Sequence, residues 1–223
     1  MLLWRSGSPG IPARIADQLG CDIKRVFLVA NNRHLAPSNL PDDLGAHDLV
    51  VQFNSCIHIA HFLSADCSKL FVFRARGNRR VNFGYPPNPN AFVGIDPALF
   101  HGQLYVSFVD NIPAPSYAPA VLQGIIRDTS AVGYLNSFRG IFKSYPKPPK
   151  IDFAGPSTGF VTIRLFLEAR RRLAQHVGSK LEIILLGFED TPNGTFWRGH
   201  NWAFERSFVE AHRLELTLST THK

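Results

Sequence analysis

The chain has 223 residues, 45% of them hydrophobic and 18% charged, which is the composition of one folded domain without long disordered tracts. Lys and Arg number 24 against 17 Asp and Glu, a formal charge of +7 that predicts attraction to anions without specifying which. The three cysteines, at positions 21, 56 and 67, lack C-x-x-C spacing, which argues against a zinc site or a disulfide framework and favours a reducing compartment.

Apolar runs rich in β-branched and aromatic residues predict a series of strands. The runs cover residues 25–30, 49–53, 70–73, 104–108, 151–153 and 181–186. They do not alternate strictly between apolar and polar residues, so we expect helices to cover both faces of the sheet.

Helices are predicted between the strands at residues 118–127, 159–175 and 202–214. In the second, Phe160, Ile163 and Phe166 recur at helical spacing, as in an amphipathic helix laid on a sheet. Strands that alternate with helices indicate a mostly parallel sheet. The predicted fold class is therefore α/β, a single Rossmann-like α/β/α domain over residues 23–216, with an N-terminal lead-in at 1–22 and a C-terminal tail at 217–223.

Carboxamide side chains stand at the ends of the first two predicted strands. Asn31 and Asn32 follow the first strand, and Asn54 follows the second. In open α/β sheets, ligands bind beyond the carboxyl ends of the strands, so these amides predict one wall of a nucleotide pocket. The alternative at each position is an Asn that only shapes a turn.

The segment Pro156, Ser157, Thr158 and Gly159 opens the amphipathic helix. Ser157 or Thr158 can cap the helix, while Gly159 leaves room for a phosphate at the positive end of the helix dipole. The alternative is an ordinary N-cap. The spacing is neither that of a P-loop nor that of a G-x-G-x-x-G fingerprint.

The last predicted strand runs into Gly187 and Phe188, and the loop that follows leads to His200 just before a helix, with Glu205 one turn inside it. An imidazole at such a junction can take a proton at neutral pH, and a carboxylate one turn on can hold its surroundings in place. The pattern predicts His200 as a catalytic residue and Glu205 as its support. The alternative is a polar residue that merely precedes a helix.

Acidic residues are sparse where a metal would be needed. The chain contains no Asp-x-Asp, the kind of acidic pair that could clamp a metal on the two phosphates of a UDP-sugar. A donor that leaves as a nucleoside monophosphate has less charge to neutralise. We therefore expect no metal site, no cofactor and a metal-free mechanism.

Taken in order, these segments resemble the animal-type sialyltransferases. Residues 26–32 and the stretch A-H-D-L-V-V-Q-F-N at 46–54 are similar to the family's large motif. Residues 156–159 are similar to its P-S-S/T-G small motif, Gly187 and Phe188 to the G-F that follows it, and His200 with Glu205 to its H-x-x-x-x-E motif. The resemblance implies the sialyltransferase-type variant of the glycosyltransferase A fold.

The same resemblance implies a reaction and the residues that carry it. The reaction is a metal-independent, inverting transfer of sialic acid, or of a related acidic sugar such as Kdo, from a CMP-sugar donor to a hydroxyl of a glycan or glycolipid. His200 would deprotonate the acceptor hydroxyl. Contacts with the nucleotide, its ribose or its phosphate would come from Asn32, Asn54, Ser157, Thr158 and Gly159. The same donor site is predicted to include Asn31, Pro156, Gly187 and Phe188.

The chain departs from the family pattern at several points. Gln52 stands where the family has Arg, the motif cysteines are replaced, and residues 196–198 are the nearest substitute for the aromatic third motif. We expect a compact bacterial relative without a membrane anchor, which acts in the cytoplasm on a bacterial surface polysaccharide. The basic surface leaves open a peripheral contact with the inner membrane.

Two other functions compete with this prediction. The first is a non-catalytic nucleotide- or sugar-binding protein of the same fold, since Gln52 and the missing third motif fit a pocket that has lost its activating groups. The second is nucleic-acid binding, which rests only on the net charge and has no recognisable motif to support it. We therefore expect no nucleic-acid partner.

Overall fold

A computed structural model describes residues 22–53, 56–73, 104–108, 144–146, 155–177, 180–188 and 199–219. In these ranges the strands are β1 (Arg25–Val29), β2 (Asp48–Phe53), β3 (Ser68–Phe73), β4 (Leu104–Phe108), β5 (Glu182–Leu186) and β6 (Thr217–Ser219). The α-helices are α1 (Ile59–Phe62), α2 (Thr158–Val177) and α3 (Trp202–Ala211). A short 3-10 helix covers Pro37–Asn39.

The described strands form one parallel sheet in the order β4-β3-β2-β1-β5-β6. The strand β1 lies in the interior of the sheet between β2 and β5, and its Val29 is in register with Gln52 on β2 and with Leu186 on β5. The chain adds strands outward from β1 to β4, then returns and adds β5 and β6 on the opposite side. The strand order therefore reverses between β1 and β5, and such a reversal opens a crevice at the carboxyl ends of the strands.

Alternate residues of the central strands pack on opposite faces of the sheet. Val26 and Leu28 belong to the larger apolar core, which also contains the buried side of α2 and is bordered by Phe204 and Phe208 of α3. Phe27 and Val29 belong to a second core with Phe62 of α1. Both faces of β1 are thus covered, and this is why its sequence is apolar throughout.

The amino end of the sheet is held by an ion pair between register partners on β1 and β2. Arg25 donates from Nε and Nη2 to the two carboxylate oxygens of Asp48, each at 2.8 Å. Burial alone would raise the pKa of Asp48, but the hydrogen bonds from Arg25 and the Gly45 N–H outweigh burial and hold the pKa below its ordinary value. This pair lies at the opposite end of the strands from the crevice.

The α/β class and the parallel sheet are confirmed. Five predicted strands correspond to β1–β5, and the predicted helices at 159–175 and 202–214 correspond to α2 and α3. The predicted strand at 151–153 and helix at 118–127 lie outside the described residues. Short elements were missed: α1 has four residues and β6 has three, too few to show a periodic pattern.

Two predicted boundaries need correction. Thr217–Ser219 were placed in the C-terminal tail, but they pair with β5 as the edge strand β6. The helix predicted to reach residue 214 ends at Ala211, and a turn follows in which the His212 N–H donates to backbone carbonyls of α3. Of the helices in the described ranges, none combines the length and the apolar character that a membrane span needs.

Candidate functional site

The amino end of α2 is fixed by a serine cap. Ser157 directly precedes the helix, and its Oγ accepts a hydrogen bond from the Phe160 N–H at 3.0 Å. The Ser157 carbonyl accepts from the Val161 N–H at 3.1 Å. Of the two predicted capping residues, Ser157 is therefore the cap. The start of the helix lies near the carboxyl end of β5, because Gly159 is in contact with Phe188.

Glu205 of α3 binds this capping residue across 48 residues of sequence. Its carboxylate accepts from the Ser157 N–H at 2.8 Å and from the Ser157 hydroxyl at 2.6 Å. The hydroxyl of Tyr145 donates to Glu205 Oε1 at 2.7 Å. Glu205 is only 6% exposed, and the three donors supply the hydrogen bonds that a buried carboxylate requires. The role of Glu205 as a support for His200 stays a prediction.

Tyr145 extends the same network to the residue that follows His200. Its hydroxyl oxygen accepts from the Asn201 N–H at 2.6 Å. Asn201 in turn caps α3, because its side-chain oxygen accepts from the Phe204 N–H at 3.1 Å. Tyr145, Ser157, Asn201 and Glu205, called the Glu205 network below, thus join the amino ends of α2 and α3.

His200 is buried beside this network and is oriented by the segment that precedes α2. Its Nδ1 lies 2.6 Å from the carbonyl oxygen of Gly155. A carbonyl can only accept, so Nδ1 carries the proton, and in the neutral ring Nε2 is the basic nitrogen. The Gly155 N–H donates to the Gly199 carbonyl at 3.2 Å, and the Trp202 ring packs edge-on against the imidazole with centroids 5.0 Å apart.

Asn31 and Asn32 lie at the carboxyl end of β1, as predicted, but their side chains bind backbone groups. The Asn31 amide donates to the Phe53 carbonyl at 2.7 Å and accepts from the Ile57 N–H at 3.3 Å. The Asn32 amide donates to the Gly187 carbonyl at 3.2 Å and accepts from the His34 N–H at 3.0 Å. They brace the loops beside the crevice, and a ligand contact from them remains a prediction.

Gly187 and Phe188 directly follow β5, and Phe188 packs against the start of α2. Gly187 has a φ of +72°, a conformation that favours glycine. A side chain added at Gly159 would place its Cβ 2.8 Å from the Phe188 ring, so the two residues are in close contact. The Phe188 ring also meets Phe53 of β2 edge-on, with centroids 6.2 Å apart.

Two further polar side chains, His58 and Gln52, lie near β1 and β2. Burial lowers the pKa of His58, although its hydrogen bond to the Asn32 carbonyl opposes that effect, and the lowered pKa favours the neutral imidazole. Gln52 is 2% exposed, and its buried Oε1 has no hydrogen-bond partner among the residues that the structure describes. Within the described ranges, no group of three His, Cys, Asp or Glu side chains is arranged to hold a metal ion.

The structure therefore brings together most of the predicted site. Segments at the ends of β1 and β5, the start of α2 and the loop before α3 are linked by the contacts given above. Pro156 is buried within the segment that opens α2, and Thr158 is the first residue of the helix. Asn54 lies outside the described residues, as do residues 189–198. Tyr145 was missed, since a tyrosine in a proline-rich loop gives only a weak signal in sequence.

Comparison with known proteins adds one distant structural likeness. No protein-family model matches the chain, and a search of curated proteins finds no significant match. Among solved structures, the chain is similar to a mammalian sialyltransferase in complex with Gal-beta-1-3GalNAc-ortho-nitrophenol, with 13% identity and a TM-score of 0.43 over 88% of this chain and 69% of the other. The likeness is too distant to assign a family, a substrate or a residue role.

Proposed function

We propose that the chain is a metal-independent, inverting glycosyltransferase that uses a CMP-linked acidic sugar, sialic acid or a related sugar such as Kdo, and a glycan hydroxyl as acceptor. The observation that carries the proposal is the Glu205 network. Through Glu205 and Tyr145 it joins the segment that opens α2 to the backbone beside His200. These are the segments whose sequence order resembles the sialyltransferase motifs.

The position of the network in the fold supports a nucleotide-sugar donor. It lies at the carboxyl edge of a parallel sheet, where the strand order reverses between β1 and β5, the usual place for a ligand in an open α/β sheet. The amino end of α2 already receives one anionic group, the Glu205 carboxylate, which accepts from the Ser157 N–H, and the helix dipole favours negative charge at this end. One phosphate of a CMP-sugar matches such a site.

The proposed reaction uses the orientation of His200. In the proposed step, the acceptor hydroxyl oxygen attacks the anomeric carbon while the bond from that carbon to the phosphate oxygen breaks. The bonding pair leaves with CMP, and the hydroxyl proton passes to Nε2 of His200, the basic nitrogen of a ring whose Nδ1–H is held by Gly155. One displacement inverts the anomeric centre. General-base catalysis of this kind contributes about 10²- to 10⁴-fold in rate.

Donor turnover tests the proposal. CMP release is measured with CMP-N-acetylneuraminic acid and CMP-Kdo, using water or a panel of galactosides as acceptor. His200→Gln should lower kcat by about 100-fold or more. His212→Gln is the matched control, because His212 also places Nδ1 against a carbonyl, that of Phe208 at 2.7 Å, but at the far end of α3. Equal losses in the two variants would contradict the role of His200.

A binding protein without catalysis is the second candidate, and Gln52 is the observation that favours it. Its amide stands where the resembled family has a charged Arg, and within the described part of the chain its buried Oε1 has no hydrogen-bond partner. Calorimetric titration with CMP separates the candidates. Binding of CMP with no release from either donor supports the binding protein, whereas turnover supports the transferase.

A further inference from the structure

Tyr145 is a buried polar residue for which the proposed reaction has no role so far. It is 6% exposed, and its ring packs against Phe160 of α2 and Phe204 of α3, with centroids 5.8 and 5.5 Å away. The hydroxyl is therefore held at a fixed point between the two helices. A buried hydroxyl needs partners for its oxygen and its proton, and both are present.

The direction of the hydrogen bonds through Tyr145 is determined by its partners. The Asn201 N–H can only donate, so the phenol oxygen accepts from it at 2.6 Å. The Tyr145 hydroxyl therefore donates its hydrogen bond to Oε1 of Glu205, at 2.7 Å. A chain of bonds thus runs from the backbone N–H of Asn201 through Tyr145 to a buried carboxylate, and such chains strengthen each member bond.

These bonds hold one side of His200, and a glycine holds the other. The Gly199 carbonyl accepts from the Gly155 N–H, and the His200 ring donates to the Gly155 carbonyl. On the following residue, the backbone N–H of Asn201 is held by Tyr145. His200 therefore lies between two anchored residues, and the anchor on the α3 side is a side-chain hydroxyl that can be removed without changing the backbone.

We propose that Tyr145 is a positioning residue for His200: its hydroxyl, held by Glu205, fixes the backbone at Asn201 and thereby the place of the imidazole. The inference rests on the proposed function for its catalytic consequence, but its structural consequence can be measured on the inactive or ligand-free chain. A displacement of a catalytic group by about 1 Å lowers the rate by about 100-fold. Removal of the Tyr145 hydroxyl should therefore affect turnover far more than donor binding.

The test compares Tyr145→Phe with Thr162→Val. Thr162 is 1% exposed, and its hydroxyl donates to the Thr158 carbonyl at 2.8 Å within α2, so this control also deletes one buried hydroxyl from the same core. Tyr145→Phe should lower kcat by about 10- to 100-fold and leave KM for the CMP-sugar within about threefold. Thr162→Val should change neither by more than about threefold.

Two further measurements do not depend on turnover. In Tyr145→Phe the Asn201 amide should exchange with solvent about tenfold faster or more, because it has lost its acceptor. The ¹⁵N spectrum of the His200 ring, identified by its loss in His200→Gln, should shift away from the pure Nδ1–H tautomer. Thr162→Val should alter neither signal. Circular dichroism gives the folded fraction of each variant, and kcat is expressed per folded molecule.

The outcomes separate this inference from the proposed function. If the wild-type chain releases no CMP from either donor, the proposed transferase is wrong, and amide exchange and the ring spectrum alone decide the role of Tyr145. If Tyr145→Phe matches Thr162→Val in kcat, Asn201 exchange and ring tautomer, the positioning role is overturned. It is also overturned if Tyr145→Phe unfolds while Thr162→Val folds, since the hydroxyl would then serve the fold as a whole.

Discussion

Replacing Glu205 with Gln should destabilise the folded chain by about 2 kcal/mol. The carboxylate accepts three hydrogen bonds, from the Tyr145 hydroxyl, the Ser157 N–H and the Ser157 hydroxyl. A glutamine can keep the two bonds to Oε1, but its NH₂ group cannot accept from the Ser157 hydroxyl. The variant therefore loses one charge-assisted bond at 2.6 Å and weakens the other two, because their acceptor is no longer charged.

The loss of charge in Glu205→Gln also removes a desolvation cost. Whether the variant is less or more stable depends on which is larger, the lost hydrogen bonds or the relief of desolvation. A buried carboxylate without partners would be expensive, and its neutralisation would then stabilise the fold. Here Glu205 is 6% exposed but has three donors, so the cost is already compensated. We therefore expect the lost bonds to outweigh the relief of desolvation.

Urea unfolding followed by circular dichroism measures this effect. With a slope of about 2 kcal/mol per M, a loss of about 2 kcal/mol lowers the midpoint by about 1 M. Glu168→Gln is the matched control, since Glu168 is 45% exposed and pairs with Arg172 one turn away, a surface pair worth about 0.5 kcal/mol or less. If Glu205→Gln lowers the free energy of unfolding no more than Glu168→Gln, the reasoning is refuted.

Three other substitutions test separate parts of the structure. Gly159→Ala should lower the free energy of unfolding by about 1 kcal/mol, because the new Cβ meets the Phe188 ring at 2.8 Å and this overpacking outweighs the better helix propensity of Ala. Equal or greater stability of the variant would mean that the ring moves freely. Asp48→Asn should flatten the acid dependence of stability. Because the pKa of Asp48 is lowered in the folded chain, its ion pair with Arg25 stabilises the fold above the unfolded pKa of about 4. This stabilisation is lost as the pH falls through the folded pKa. Urea midpoints between pH 7 and pH 3 would show this, and an unchanged acid limb would contradict it. Gln52→Met should be neutral or stabilising by about 1 kcal/mol, because it replaces a buried oxygen that has no partner among the described residues with an apolar group of similar size. A clear loss in thermal unfolding would show that the oxygen is satisfied in solution.

The sequence determined the five longer strands of the described sheet, β1–β5, and the helices α2 and α3. The apolar runs of β1 and β2 are readable because both faces of those strands are buried. The long helix α2 is readable because its apolar residues recur at helical spacing. The start of α3 was predicted at residue 202, where the structure has it, and the structure shows that Asn201 caps the helix there. Each of these signals depends on a residue and its near neighbours in the chain.

The tertiary structure alone decided which segments meet. Ser157 was one of two predicted caps. Its bond to Glu205 spans 48 residues and the bond from Tyr145 to Glu205 spans 60, so neither bond is visible in the sequence. Asn31 and Asn32 were expected to face a nucleotide, and the structure shows their amides bracing neighbouring loops. Local patterns record whether a residue is buried, not which distant residue lies beside it, because that depends on the strand order and on how the helices pack.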